Sequence, residues 1–412
     1  MRKVKFGVVG YGQRGSSMTK SILFKIDEIE VVAVCDEYED RTNQAVEDVE
    51  KHSGKRPFAS QDYRELLKCP EVEAVYVASS WESHVEVAID AMRAGKAVAL
   101  EVGGAYTIEE LEELVAVCEQ YKTPFMLMEN CCFNKTELLA TAVARTGKLG
   151  KIVYCEGSYA HDLREEVSKG NIIRHYRLRN YINRNTENYP THELGPIAKL
   201  LNINRGNRML SLVSVASGAF GLEEYISNHP EIVEKDPSLK GQRFKQGDIV
   251  DTLITCAGGE TIHLRLDTTL PRYYSRNFTV RGTKGMYLQD SNTFFIDGMP
   301  EKHGINTVEY TKEFLNNGEE YEEYLPKEWK GMTPELIKEG HGGMDIVEFR
   351  RFVECYLNGE EMPIDVYDAA AWMAITALAE KSILEGGAPQ MIPDFTRGKW
   401  IQRKPLDVVK LV

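Results

Sequence analysis

Residues 3–15 read KVKFGVVGYGQRG, Lys3 to Gly15. Val4, Phe6, Val8 and Val9 form a short apolar run, the pattern of a strand buried on both faces. The run breaks at Gly10. Gly10, Gly12 and Gly15 then satisfy G-x-G-x-x-G, and Ser16 to Phe24 is expected to begin a helix. In that order the first glycine permits a tight turn and the second lets backbone approach a pyrophosphate. The third lets the helix pack close to the strand, its amino terminus facing the anion. A second apolar run, Val31 to Cys35, ends in Asp36, about 20 residues further on, where the dinucleotide fingerprint needs an acid. A carboxylate there accepts hydrogen bonds from the adenine ribose and disfavours a 2′-phosphate. The cofactor read from these residues is NAD, with Arg41 nearby keeping NADP open.

The alternation continues. Strands are expected at Pro57–Ser60, Ala74–Ala78, Ala97–Leu100 and Pro124–Met128, and helices at Asp40–His52, Gln61–Lys68 and His84–Arg93. Thr107 and Glu110 form a capping box ahead of a further helix. This predicts an α/β fold with a doubly wound parallel sheet, and an NAD-binding domain over residues 1–130. The loop after the Ala74–Ala78 strand lies on the ligand side of such a sheet, so Trp81 and His84 are cofactor-edge candidates. The other reading puts Trp81 in the core and His84 at a helix cap.

Beyond residue 130 the character changes. A helix over Lys135–Thr146 leads into a long β-branched and aromatic strand, Ile152–Ala160. Further strands are expected at Leu210–Ser217, Asp248–Cys256, Thr261–Thr268, Asn277–Gly282 and Met286–Gln289. Helices are expected at Met344–Leu357 and Val366–Leu384, and Ile305–Pro334 reads as polar surface loops. The prediction for 131–412 is a substrate-binding α+β domain with an open, largely antiparallel sheet and closing helices.

The chain has 412 residues and a formal net charge of −13, which argues against nucleic acid or an anionic membrane surface as partner. No run of about 18 apolar residues suggests a membrane span. Eight cysteines without C-x-x-C or zinc-like spacing, and a first strand starting almost at once, suit a cytoplasmic protein.

Outside the glycine turn, polar groups concentrate in Tyr176–Pro196, YRLRNYINRNTENYPTHELGP. Apolar periodicity is absent until Ile197, so this reads as a loop leading into a helix, either carrying a site or simply solvated. Tyr159-Ala160-His161-Asp162 ends a strand, and Leu270-Pro271-Arg272-Tyr273-Tyr274-Ser275 lies between two. Neither His161 with Asp162 nor His341 with Asp345 has zinc or iron spacing, and no metal is expected.

The layout resembles the glucose–fructose oxidoreductase, inositol dehydrogenase and MocA superfamily, in which a Rossmann domain precedes an open-sheet domain. Sugar dehydrogenases of that group usually carry Glu-Lys-Pro after the fifth strand, where this chain has Glu101-Val102-Gly103. More specific are Met128-Glu129-Asn130-Cys131-Cys132, Tyr159-Ala160-His161-Asp162-Leu163 and Asn188-Tyr189-Pro190-Thr191-His192-Glu193-Leu194-Gly195-Pro196. His341-Gly342-Gly343-Met344-Asp345 and Pro393-Asp394-Phe395-Thr396-Arg397-Gly398 join them. Together these resemble glycoside hydrolase family 109, the NAD-dependent α-N-acetylgalactosaminidases, over nearly the whole chain. Gly103 departs from the proline more usual there.

The resemblance implies cofactor contacts at Arg14, Gly15, Asp36, Trp81, His84, Glu101, Val102 and Asn130, beside Gly10 and Gly12, with Tyr189 shared. It implies substrate or catalytic roles for Tyr159, Arg177, Tyr189, His192 and Tyr274, and substrate binding by Glu129. The implied reaction oxidises C3 of the sugar, eliminates across C1–C2, adds water and reduces C3 again. His192 or Tyr189 would serve the C3 hydroxyl, and Tyr159 the C2 proton. A sugar or inositol dehydrogenase is the alternative, weakened by the absent lysine; a non-catalytic NAD-binding regulator is a third. The expected partner is a small glycoside, and the open sheet offers a surface for a homo-oligomer.

Overall fold

The structure, a computed structural model, describes residues 2–299, 312 and 314–411. The chain divides into two compact units. One comprises Met1–Asn134, Lys327–Ala371 and Asp407–Val409; the other comprises Lys135–Pro326, Trp372–Leu406 and Lys410–Val412. The second unit is therefore not the single run 131–412 drawn from the sequence.

In the first unit β1 (Val4–Val9), β2 (Ile29–Cys35), β3 (Phe58–Ser60), β4 (Ala74–Val77), β5 (Ala97–Leu100) and β6 (Phe125–Leu127) form one sheet in the order β3-β2-β1-β4-β5-β6. Every pairing is parallel. All residues of β4, β5 and β6 are buried, because helices cover both faces. The first crossover helix, Gln13–Ser21, starts inside the glycine turn, earlier than Ser16. The helix expected from His84 begins at Trp81. Thr107 and Glu110 form the predicted capping box on Ile108–Tyr121. Helix Met344–Asn358 packs on the same sheet, with Phe349 edge-on to Tyr76 at 5.2 Å and Phe352 against Phe6 at 5.7 Å.

In the second unit β7 (Ile152–Ala160), β8 (Met209–Ala216), β9 (Ile249–Cys256), β10 (Thr261–Asp267), β11 (Thr279–Gly282), β12 (Gly285–Leu288), β13 (Thr293–Ile296) and β14 (Gln390–Met391) form an eight-stranded sheet. Its order is β13-β12-β11-β7-β10-β9-β8-β14. Only β7 and β10 run parallel; the remaining pairs are antiparallel. Burial alternates along β9 and β10, the signature of a sheet covered on one face. Helix Thr191–Leu200 packs on that face against β7 and β10. A Cβ at Gly157 would lie 2.9 Å from the Glu193 carbonyl oxygen, so glycine in β7 is what allows this approach.

Tyr176–Pro196 is not a solvated loop. It holds helix Arg177–Asn183 and the start of Thr191–Leu200, and Arg177, Asn188, Tyr189 and Thr191 are buried. Pro196 lies inside that second helix, where it removes the donor that would meet the His192 carbonyl. Within the expected loop region 305–334, residues 305–311 and 313 lie outside the described residues. The described remainder includes a 3₁₀ stretch, Asn317–Tyr324, the one-turn helix Lys327–Lys330 and the start of another, Pro334–Ile337. Trp329 there is buried, its Nε1 donating to the Phe133 carbonyl at 2.9 Å.

Candidate functional site

Residues 157 and 159 share one face of β7, because side chains alternate along a strand. Gly157 admits the Thr191–Leu200 helix, and Tyr159 therefore meets its first turn. The Tyr159 ring centroid lies 4.6 Å from that of Tyr189 and 5.5 Å from that of His192, and Tyr189 is 4.7 Å from His192. The Arg177 guanidinium lies 5.0 Å from the Tyr189 ring and 5.9 Å from the Tyr159 ring. Burial alone would lower its pKa, but the Tyr159 hydroxyl and Glu166, 3.2 Å from Arg177 Nε, reverse this and keep the cation charged. Tyr159, Arg177, Tyr189 and His192 are thus one cluster, though only the last two are near in sequence.

Two members were not singled out from the sequence as site residues. His161 Nδ1 is 3.3 Å from the Tyr159 hydroxyl. Burial, then the Arg177 charge, lowers the His161 pKa, so its imidazole is neutral at neutral pH and Nδ1 can accept. Arg276 donates to the Tyr274 hydroxyl at 3.1 Å and pairs through Nε with the buried Glu137 at 2.7 Å. Tyr274 itself is 46 % exposed and stands edge-on to His161 at 5.1 Å. His161 sits two residues from Tyr159, a signal that was visible in the sequence. Arg276 was not, since its partner Glu137 is 139 residues away.

Glu187 and Glu193 flank the Tyr189–His192 segment, and both are buried. Burial raises the Glu187 pKa to about 8; its bonds to the Tyr189 N–H and to the Glu193 side chain oppose that shift. Asp162, by contrast, accepts two bonds from the Arg164 guanidinium, at 2.7 and 2.9 Å, and its pKa is lowered.

In the first unit the glycine turn has the predicted form. Gly10 has φ +94°, and a Cβ there would lie 2.5 Å from the Ala78 backbone. At Gly15 a Cβ would lie 2.0 Å from the Gly10 carbonyl oxygen. At Gly12 it would approach only Arg41, at 3.4 Å, so that side of the turn is open to a phosphate. Asp36 accepts from the Tyr11 N–H at 2.6 Å and the Tyr38 N–H at 3.0 Å. A carboxylate has about four acceptor positions, which leaves capacity for ribose hydroxyls. His84 is buried and neutral, its pKa lowered by burial; Nε2 lies 3.0 Å from the Ser79 carbonyl. Its buried Nδ1 has no hydrogen-bond partner among the described residues, an acceptor left for a ligand. Trp81 is buried against Gly103. These features fit a dinucleotide.

The other predicted cofactor residues converge. Arg14 Nε donates to Glu101 Oε1 at 2.8 Å, and Tyr76 donates to the same oxygen at 2.6 Å. The Val102 N–H lies 3.3 Å from Glu101 Oε2. Asn130 donates to Asp345 at 2.6 Å. Glu129, wholly buried, accepts the Cys131 N–H at 3.1 Å and so caps the 3₁₀ turn Asn130–Phe133.

Residues 133–402 match the glycosyl hydrolase 109 C-terminal domain, and residues 4–128 match the oxidoreductase family with NAD-binding Rossmann fold. The chain belongs to the glycosyl hydrolase 109 family. It is thus a glycoside hydrolase with an NAD-binding domain. An α-N-acetylgalactosaminidase of Tannerella forsythia is 33 % identical across 98 % of this chain and 88 % of its own length. A glycosyl hydrolase family 109 protein of Stenotrophomonas maltophilia (strain K279a) is 36 % identical across 98 % and 92 %. Levoglucosan dehydrogenase, solved with NADH and levoglucosan, superposes with a TM-score of 0.69 at 17 % identity, covering 95 % of this chain and all of that one. At that identity it shares the fold. Among the described residues no helix is long and apolar enough to cross a membrane.

Proposed function

We propose that this enzyme hydrolyses terminal N-acetylhexosaminides, α-N-acetylgalactosaminides foremost, by transient oxidation of the sugar at C3. The observation that carries the reading is the Tyr159–Tyr189–His192–Arg177 cluster, with rings 4.6–5.5 Å apart around a buried guanidinium. A conventional glycosidase needs two carboxyl groups across the scissile bond. This cluster offers phenols, imidazoles and a cation instead, the groups that move protons at carbon and oxygen.

Bound NAD would take the hydride from C3 and return it at the end of the turnover. It would be held by the glycine turn, Asp36, Trp81, His84, Glu101, Val102 and Asn130, in the 1–130 domain. His192 or Tyr189 takes the C3 hydroxyl proton as the ketone forms and gives it back on reduction. The ketone acidifies C2–H. Tyr159, its phenolate favoured by Arg177, removes that proton while the C1–O bond breaks and the leaving oxygen is protonated. Water then adds at C1, its remaining proton replacing the one given to the leaving oxygen, and Tyr159 reprotonates C2. One water is consumed and the cofactor is restored. Tyr274, held by Arg276, and Glu129 complete the assigned sugar contacts.

The same reading carries a homo-oligomer through the open face of the sheet, where Val215, Leu253 and Met391 are 54–70 % exposed. Light scattering in solution tests that. For the reaction, nitrophenyl α- and β-N-acetylgalactosaminides are hydrolysed in heavy water and the sugar is examined at C2. Deuterium at C2 with no net NADH is the expected result. Release without deuterium removes the role of Tyr159. NADH accumulating from free sugars makes the protein a dehydrogenase.

A further inference from the structure

The segment His341-Gly342-Gly343-Met344-Asp345 has no part in the chemistry above, yet it meets the cofactor residues. Gly340, His341, Gly342 and Gly343 have φ of 29°, 41°, 72° and 92°, four left-handed residues in succession. They turn the chain so that helix Met344–Asn358 begins with Asp345 in its first turn. The helix lies on the sheet through Phe349 and Phe352, and Asp345 is wholly buried.

We infer that Asp345 is a positioning residue of the NAD site, holding Arg14 and Asn130, and through Arg14 also Glu101, in the arrangement that cofactor binding requires. Arg14 Nη1 and Nη2 bond the two Asp345 oxygens at 3.1 and 3.2 Å, a two-pronged pair. Asn130 Nδ2 adds 2.6 Å to Oδ1, and His341 Nδ1 adds 2.8 Å to Oδ2. Four donors fill the roughly four acceptor positions of a carboxylate. Asp345 is therefore saturated by the protein and acts on a ligand only through the groups it holds. His341 Nδ1, donating here, cannot also accept from Arg14 Nη1 at 3.0 Å.

Three of the five Arg14 N–H donors are committed, Nε to Glu101 and the fork to Asp345. Four residues implied in NAD binding (Arg14, Glu101, Val102 and Asn130) thus form one network ending on Asp345. Charge supports the assignment. Burial would raise the Asp345 pKa, but Arg14 and His341 hold it below the usual carboxylate range. One turn on, burial and then the charges of Asp345 and Glu101 push the Glu348 pKa well up.

The inference rests on the NAD-dependent reading, and one experiment separates the two. NAD⁺ binding is measured by calorimetry on nucleotide-free wild type, Asp345→Asn, Arg14→Met and the double variant, with melting curves for each. Glycoside KM is measured at saturating NAD⁺. Asp345→Asn is expected to weaken NAD⁺ binding about tenfold or more while leaving glycoside KM within about twofold. The double variant is expected to lose less than the sum of the two single losses, because both changes break the Arg14–Asp345 pair. A folded Asp345→Asn with wild-type affinity overturns the inference, as does a double variant in which the losses add. If Asp345→Asn does not fold, the double variant, which also removes the buried cation, is compared with Arg14→Met; a further loss is expected because Asn130 is also released, and equal affinity overturns the inference. A wild type that binds no NAD⁺ overturns the functional reading and this inference with it.

Discussion

The Tyr159 hydroxyl lies 3.3 Å from Nδ1 of His161, two residues further along the chain. A neutral imidazole there can accept the phenol proton. This gives Tyr159 a second route to phenolate beside the Arg177 charge. Tyr159→Phe removes the phenol alone. We expect hydrolysis and C2 deuterium exchange to fall by at least about 10²-fold, the scale of a general base, with the melting temperature nearly unchanged. Retained C2 exchange in the folded variant would reassign the base.

The pKa of His161 is lowered by burial and by Arg177, and that of His84 by burial. In the unfolded chain both protonate as pH falls through about 6.5, while in the folded chain they stay neutral to lower pH. The unfolded state then binds more protons, so stability falls as pH drops below about 6.5. Melting curves at pH 7.5 and 5.5 should show the loss, and His161→Gln should show less of it. Equal losses in both proteins would discount the His161 shift.

Glu187 gives the opposite slope. Its folded pKa of about 8 lies above the unfolded value of 4.5. The folded state keeps this proton longer, so the contribution is present at low pH and is lost as pH rises toward 8. Urea midpoints between pH 5 and 8 should fall less in Glu187→Gln than in wild type. Parallel curves would place the titration elsewhere.

Arg276 and Glu137 are an ion pair with side chains 8 % and 1 % exposed. Removing one partner of a buried pair costs about 3–5 kcal/mol. Arg276→Met should therefore destabilise strongly and also raise glycoside KM by freeing Tyr274. Adding Glu137→Gln should recover much of the stability but not the KM. Recovery of both would remove Tyr274 from the sugar site.

A Cβ at Gly103 would lie 2.5 Å from Cδ1 of the Trp81 indole. Gly103→Ala must displace that ring. Weaker NAD⁺ binding with a shift in tryptophan emission is expected. A displaced ring with unchanged affinity would assign Trp81 to the core alone.

The parallel sheet was legible because each βα step has a local signal: an apolar run, then a turn, then a 3.6-residue periodicity. The glycine turn and Asp36 were legible for the same reason. Tyr176–Pro196 was not. Pro190, Gly195 and Pro196 all read as helix breakers, yet burial against β7 holds a helix through Thr191–Leu200. β13 and the short helices Gly221–Ser227 and Pro230–Lys235 escaped because elements this brief carry too little periodicity to stand out.

By itself the sequence determined the dinucleotide turn, the order of the first sheet's elements and the residues of the Tyr-Pro-Thr-His segment, because their signals lie within a few residues of one another. Tertiary structure alone decided that Tyr159 meets Tyr189 and His192, that Glu137 neutralises Arg276, and that Asp345 gathers Arg14 and Asn130. Each of those contacts joins residues 30 or more apart in the chain, Asn130 to Asp345 spanning 215. Their partners are chosen by strand register, by the close approach at Gly157 and by the cost of burying an unpaired charge, none of which a local pattern records.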